Sequence, residues 1–247
     1  MIPIKSPEEI KIMREGGKIL ARILRKLEKE VKPGVSKEYL DKVASDLVLK
    51  YGARCSFKGY EGFPACLCVS LNDEIVHGIP SQVLIKEGDV VSLDLGIIYK
   101  GFHTDMAVTV SAGEISPEAR RLMRATKKSL KRGIKKARPG VTLGDVGSAI
   151  QRHSESQGFS VVRELCGHGV GRDLHEEPEI PNYGKRGEGI ELKEGMVLAL
   201  EPMAAMAGWQ IKRAKDGYGY ATKDGSLSCH FEATIAITKN GSEVLTK

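Results

Sequence analysis

The sequence predicts an α+β fold in which helices cover a pseudo-twofold, duplicated antiparallel sheet. Three observations predict it. The chain repeats itself at an offset close to half its length, each half opens with two marked helices, and short β-rich runs follow each helix pair.

The repeat is read from three matches in the same order. Ser6-Pro7-Glu8 with Met13-Arg14 returns as Ser116-Pro117-Glu118 with Met123-Arg124, an offset of 110. Lys32-Pro33-Gly34-Val35-Ser36 returns as Arg138-Pro139-Gly140-Val141-Thr142, an offset of 106. Ile85 to Asp94 returns as Leu192 to Glu201, an offset of 107. No Gly-, Ser- or Pro-rich linker separates the halves, so a single domain over residues 1–247 is expected, with repeats over about 1–112 and 113–247.

Each element has a local reason. Ser6 is an N-cap residue, Pro7 suits the first helical position and Glu8 complements the helix dipole, so a helix runs from here to about Glu30. Pro33-Gly34 ends it. Ser36 starts a second helix through about Lys50, and Gly52 stops it. Ser116, Pro139-Gly140, Thr142 and Gly158 repeat the scheme. Val90 to Ile98 is β-branched and apolar enough for a strand, and Lys100-Gly101 turns it back onto His103 to Val110. His230 to Ile237 reads as another strand. Gly167 to Gly171 and the segments around His77 and His175 read as Gly- or Pro-marked loops.

Composition narrows the function classes. The chain is 41% apolar, too rich for a disordered protein. No run reaches the ~20 apolar residues of a transmembrane helix, and no signal peptide is read at Met1 to Lys5. The net charge of +6 is mild and calls for neither DNA nor a membrane as partner. Five cysteines, an odd number without a Cys-x-x-Cys pair, fit free thiols in a reducing cytoplasm. Cys66-x-Cys68 is read as core packing. Lys127, Lys128, Lys131, Arg132, Lys135, Lys136 and Arg138 fall at helical spacing and form one basic face.

The acids stand where core residues belong. Alternation puts Asp94 on the same strand face as small Ser92, and Glu201 on the same face as small Ala199. Asp105 lies within a residue or two of opposite Asp94, with a bulge as one way to aim both acids alike. Glu232 is a fourth acid in an apolar run. His168 has glycine on both sides, which permits close backbone approach. Four carboxylates and one imidazole make a hard, anionic site, suited to a pair of divalent ions rather than a structural zinc. Such a pair favours hydrolysis.

These residues carry a resemblance. With His77-Gly78-Ile79-Pro80, Asp94-Leu95-Gly96, Thr104-Asp105, Gly167-His168-Gly169-Val170-Gly171, His175-Glu176-Glu177-Pro178, Glu201-Pro202-Met203 and Phe231-Glu232, the chain resembles the type I methionine aminopeptidases over essentially its whole length. These are metallopeptidases of the pita-bread fold. The resemblance implies that Asp94 binds one ion, Asp105 and Glu232 bridge two, and His168 and Glu201 bind the second. The ions would be Co, Mn, Fe or Zn, with a hydroxide between them as nucleophile. Glu201 would shuttle the proton, His175 would contact the carbonyl oxygen and His77 the scissile nitrogen. Tyr60, Phe63, Cys68, Leu174 and Tyr218 would form the methionine pocket. Many members carry Phe in place of Leu174, Trp in place of Tyr218, and several a larger polar residue in place of Ala233.

The implied substrates are nascent polypeptide N-termini with a small second residue. Ile2 is bulky, so this chain is expected to keep Met1. The resemblance further implies a cytoplasmic monomer, with the basic face as a possible ribosome contact. Proline-specific peptidases of the same fold usually carry a long extra N-terminal domain, and the first repeat here begins at Ser6. A pseudoenzyme binding RNA or ribosomes would have lost ligands, and none is missing.

Overall fold

The computed structural model describes residues 2–247, so the expectation about Met1 lies outside it. The α-helices among these residues are α1 (Pro7–Glu30), α2 (Lys37–Lys50), α3 (Pro117–Lys136) and α4 (Leu143–Ser156). Their starts follow the expected chemistry. Ser6 Oγ accepts the Glu9 N–H while the Glu9 carboxylate accepts the Ser6 N–H. Thr142 and Asp145 repeat this reciprocal pair at α4, while Ser36 and Ser116 accept the N–H of Tyr39 and Ala119 without a return bond.

The repeat is visible in the hydrogen bonds. Gly34 donates to the Ile85 carbonyl as Gly140 does to that of Leu192. Ile85 returns a bond to Val35, and Leu192 to Val141, both at 2.8 Å. Ser36 bridges Leu84 where Thr142 bridges Glu191. Gly88 and Gly195, both at φ 87°, turn the chain into Val90–Tyr99 in one half and Val197–Leu200 in the other.

The larger sheets are antiparallel, one from each half. In the first, Val90–Tyr99 pairs with Phe102–Ser111 along one edge; Arg54–Cys55 and Leu67–Leu71 lie end to end along the other. In the second, Val197–Leu200 lies between Ala233–Thr238 and Cys166–Gly169, flanked by Gly241–Val244 and Glu176–Pro181. Two three-stranded sheets fill the remaining space, so the covered sheet is divided rather than continuous. Leu20, Ile23, Leu24 and Leu27 of α1 are buried with Leu93 and Leu95; Leu122 of α3 and Val146 and Ile150 of α4 are buried with Leu198 and Ile235. Each such side chain contributes ~1.5–3 kcal/mol by leaving water.

Four expectations need correction. No bulge aims Asp94 and Asp105: Asp94 pairs with Ala107 and Asp105 with Gly96, so alternation alone puts both acids on one face. The expected strand from His230 to Ile237 is broken. Ser228–His230 pairs with Met203–Ala205, the ladder lapses at Phe231-Glu232, and Ala233–Thr238 resumes opposite Val197–Leu200. His168 lies in a strand, not a loop. Its glycine neighbours serve strand contact, since a Cβ at Gly167 would sit 2.4 Å from the Ala199 carbonyl and one at Gly169 2.2 Å from that of Glu177.

The fourth correction concerns the cysteines. Cys55 and Cys66 form a disulfide, with Cα atoms 5.2 Å apart, leaving Cys68, Cys166 and Cys229 as thiols. Cys55 is opposite Ile97 and Leu67 opposite Leu95, so Cys66 arrives beside Cys55 along the same strand edge. A sequence separation of 11 gives no hint of this end-to-end meeting.

Candidate metal centre and substrate cleft

The two halves meet where the acids are. The Glu232 N–H donates to the Ala107 carbonyl at 2.9 Å. Thr234 Oγ accepts the Asp105 N–H at 2.9 Å and donates to the Asp105 carbonyl at 2.8 Å. The seam between the sheets is thus closed at Asp105, Glu232 and Thr234. Glu201 follows directly on Val197–Leu200, in the same ladder gap as Glu232. Breaking the ladder frees both glutamates from strand alternation while the flanking pairs hold their backbone.

One cleft of about 480 Å³ gathers the predicted residues. Asp94, Asp105, His168, Glu201 and Glu232 form its floor, with His77 and His175 beside them. Ligand atoms of Asp105, His168 and Glu232 lie within 4.8 Å of one another. Glu201 Oε1 is 3.5 Å from His168 Nε2, and Asp94 shares the strand face of Asp105.

The electrostatics of this floor are unbalanced without a cation. Asp94, Asp105 and Glu232 are buried, and among the described residues no Lys or Arg pairs with any of the four carboxylates. Asp94 Oδ1 and Glu232 Oε1 are buried with no hydrogen-bond partner. Burial raises the Asp94, Glu201 and Glu232 carboxyls well above the usual range, and mutual repulsion adds to it. Asp105 is pushed up to about 7, chiefly by burial. His168 is driven down to about 3, first by burial and then by His175, so its imidazole is a neutral ligand. Its Nδ1 lies 2.8 Å from the Gly169 carbonyl, which as acceptor leaves Nε2 free to ligate. Isolated carboxylates in such a place are costly unless paired or metal-bound. The donor set fits divalent cations.

His175 is held from behind. Its Nδ1 lies 2.9 Å from the Tyr60 hydroxyl, and its ring meets the Tyr60 ring edge to face at 5.1 Å. His77 adopts φ 59°, a left-handed conformation that a non-glycine residue takes only when its surroundings impose it. The imposition is visible: Gly78 donates to Ser70 Oγ and accepts from the Val69 N–H, and a Cβ at Gly78 would lie 2.5 Å from the Val69 carbonyl. Burial lowers His77 to about 4.

The apolar wall adjoins the acids. Cys68 stands directly opposite Asp94 in the ladder. Phe63, Cys68 and Leu174 are buried, with Tyr60 and Tyr218 packed against them. The loop between Cys55 and Cys66 carries Phe57, Tyr60 and Phe63, so the disulfide closes the base of this wall.

Sequence reasoning missed several neighbours. Phe57 lines the cleft and meets Phe63 edge to face at 6.4 Å; the spacing of three from Phe57 to Tyr60 to Phe63 is the signal that could have found it. His230, fully buried, places Nε2 3.5 Å from Glu201 Oε2, and its position two before Glu232 on an alternating strand was the available hint. Leu165, Arg213 and Tyr220 also line the cleft, and nothing local to their sequence marks them.

A cleft floored by buried carboxylates and one imidazole, beside a closed apolar pocket, defines a metal-dependent peptide hydrolase. Comparison with known proteins makes this specific. The sequence pattern of metallopeptidase family M24 matches residues 11–239. A methionine aminopeptidase of Clostridium perfringens is 47% identical over 246 residues, covering all of this chain and 99% of its own. The crystal structure of a methionine aminopeptidase from Thermotoga maritima superposes with a TM-score of 0.98 at 45% identity, over the full length of both chains. A prolidase from Pyrococcus furiosus is more distant, with a TM-score of 0.81 and 26% identity, and this chain covers 65% of it. The chain belongs to metallopeptidase family M24 and, within it, to the methionine aminopeptidases.

Proposed function

We propose that this chain removes the initiator methionine from nascent proteins with a small second residue, using two divalent ions held by Asp94, Asp105, His168, Glu201 and Glu232. The observation that carries this reading is the set of four carboxylates, three buried and Glu201 nearly so, unpaired with any Lys or Arg among the described residues, beside an apolar pocket. Both halves supply ligands, which supports residues 1–247 working as one catalytic unit with repeats over about 1–112 and 113–247. The chain is a metal-dependent hydrolase that acts at N-terminal methionine.

The protein's own groups divide the work. Asp94 would hold one ion, Asp105 and Glu232 both, and His168 and Glu201 the second. Bound there, Co, Mn, Fe or Zn would supply Lewis acidity to the scissile carbonyl and make a water nucleophilic near neutral pH. Glu201 takes the proton from the attacking water on its carboxylate and passes it to the leaving amine. His175 directs an N–H at the developing oxyanion, and His77 contacts the scissile nitrogen. Tyr60, Phe63, Cys68, Leu174 and Tyr218 exclude water around the methionine side chain, and polarisable Cys68 suits its thioether. Burial and the neighbouring Asp94 raise the Cys68 thiol, so it stays protonated.

The basic face of α3 supports a transient ribosome contact, and a monomer in the cytoplasm is the matching expectation; the Cys55–Cys66 disulfide withdraws the cysteine count as support for that compartment. Among the described residues no helix is long and apolar enough to cross a membrane. The deciding experiment incubates the protein with Met-Gly-Met-Met and Gly-Pro peptides, with and without chelator. Release of methionine from the first alone, lost with chelator and restored by a divalent ion, is the expected result. Cleavage of Gly-Pro, or chelator-resistant release, overturns the reading. Metal analysis after anaerobic purification identifies the ions.

A further inference from the structure

The segment ahead of α1 reaches under the cleft. The Lys5 N–H donates to the Gly195 carbonyl at 2.8 Å, and a Cβ at Gly195 would lie 2.6 Å from Ile4 Cγ2. This contact delivers the Lys5 side chain to the turn running from Gly171 to Glu176. Lys5 Nζ pairs with Glu176 Oε2, and the two side chains are 2% and 5% exposed. The other carboxylate oxygen, Oε1, accepts the N–H of Arg172 at 2.7 Å and that of Asp173 at 3.3 Å. The backbone lies hard against the pair, since a Cβ at Gly171 would meet Lys5 Cε at 2.3 Å. The Gly171 carbonyl in turn accepts the His103 N–H at 2.7 Å. Arg172 adds a second tie by pairing with Glu9 in the first turn of α1.

The turn held this way presents Leu174 and His175 to the cleft. A buried ion pair is a poor source of net stability, because desolvation offsets the attraction. Breaking one is severe, because the partner is left charged and unpaired. Such a pair therefore fixes geometry more than it adds to folding free energy. We propose that the buried Lys5–Glu176 pair is a positioning device for substrate recognition, fixing Leu174 against the methionine side chain and His175 toward the scissile carbonyl. This rests on the roles assigned to Leu174 and His175 above.

The test uses the full chain loaded with Mn²⁺ and the Met-Gly-Met-Met substrate. Lys5→Met strands the Glu176 charge. It is expected to lower kcat/KM at least tenfold, leave Mn²⁺ affinity by calorimetry within twofold, and speed hydrogen exchange at Arg172 and Asp173 at least tenfold. Two uncharged double variants supply the rescue and serve if the single variant does not fold. Lys5→Met with Glu176→Gln keeps an acceptor for the two N–H groups and is expected to recover activity to within about threefold of wild type. Lys5→Met with Glu176→Leu lacks the acceptor and stays at least tenfold down. Equal activity of the two double variants overturns the proposal, as does a single variant that folds but keeps wild-type kcat/KM or loses it only in step with Mn²⁺ binding. Wild-type protein inactive on the peptide would instead sink the functional reading itself, while the exchange rates still report on the pair.

Discussion

Replacing Tyr60 by Phe removes one oxygen and leaves the pocket wall in place. The hydroxyl sits 2.9 Å from His175 Nδ1. Burial lowers the His175 pKa, so the ring is neutral and carries a single N–H. Burial raises that of Tyr60, so its phenol stays a donor. A phenol donating to Nδ1 assigns the ring proton to Nε2, the nitrogen free to donate to a developing oxyanion. In Tyr60→Phe both tautomers and both ring orientations become accessible. A neutral hydrogen bond has a net worth of ~0.5–1.5 kcal/mol, and ~1.4 kcal/mol is tenfold in rate. The expected result is a ~3- to 10-fold fall in kcat. KM on Met-Gly-Met-Met should stay within twofold, because the ring still packs at 5.1 Å against His175. Steady-state kinetics at saturating metal decides it. An unchanged kcat with a raised KM would show that Tyr60 only lines the pocket and does not set the position of the His175 proton.

Metal binding should release protons. Asp105 stands near 7 and the other three acids are raised well above their usual range, whereas His168, near 3, is already neutral. Affinity should therefore climb as pH rises toward and past 7, and calorimetry in buffers of different ionisation enthalpy should count one or more protons released per chain; a flat pH dependence refutes this. Converting Cys55 and Cys66 to Ser frees the loop bearing Phe57, Tyr60 and Phe63. Chain-entropy reasoning puts the loss near ~3 kcal/mol for a loop of this length; calorimetric unfolding should show it, with a rise in KM larger than any change in kcat. Gly169→Ala places a Cβ 2.2 Å from the Glu177 carbonyl and must shift the strand carrying His168, so Mn²⁺ affinity should fall at least tenfold; unchanged binding would show that the strand can yield there.

What could be read in the sequence was local or periodic. The four helices follow from Ser6, Ser36, Ser116 and Thr142, because capping is a one-turn interaction between residues three apart. Asp94 and Glu201 were found through the repeat, since equivalent positions in a duplicated unit share an environment. The misses are all matters of long-range register. Whether the strand carrying Glu232 runs through or breaks depends on Pro202 and Phe231 facing each other across the ladder gap. Cys55 meets Cys66 because two short strands share one edge of Val90–Tyr99. The glycines beside His168 are ambiguous in one dimension, since a turn and a crowded strand require the same absent side chain. Lys5 gave no signal, because it is defined by a partner more than twenty residues away.

The seam between the halves explains why the acids can be buried at all. Strand alternation aims Asp105 but not Glu232, which lies in the ladder gap. Here each acid is held by the other half of the molecule, Asp105 through Thr234 and Glu232 through Ala107. A shift of either half relative to the other moves both carboxylates at once. The two acids assigned to bridge the ions are thus the two whose backbones cannot move independently, and a pair of shared ligands needs that condition to be held at a set separation. Duplication provides two similar sheets, and the departures from symmetry along their junction are what convert them into one site.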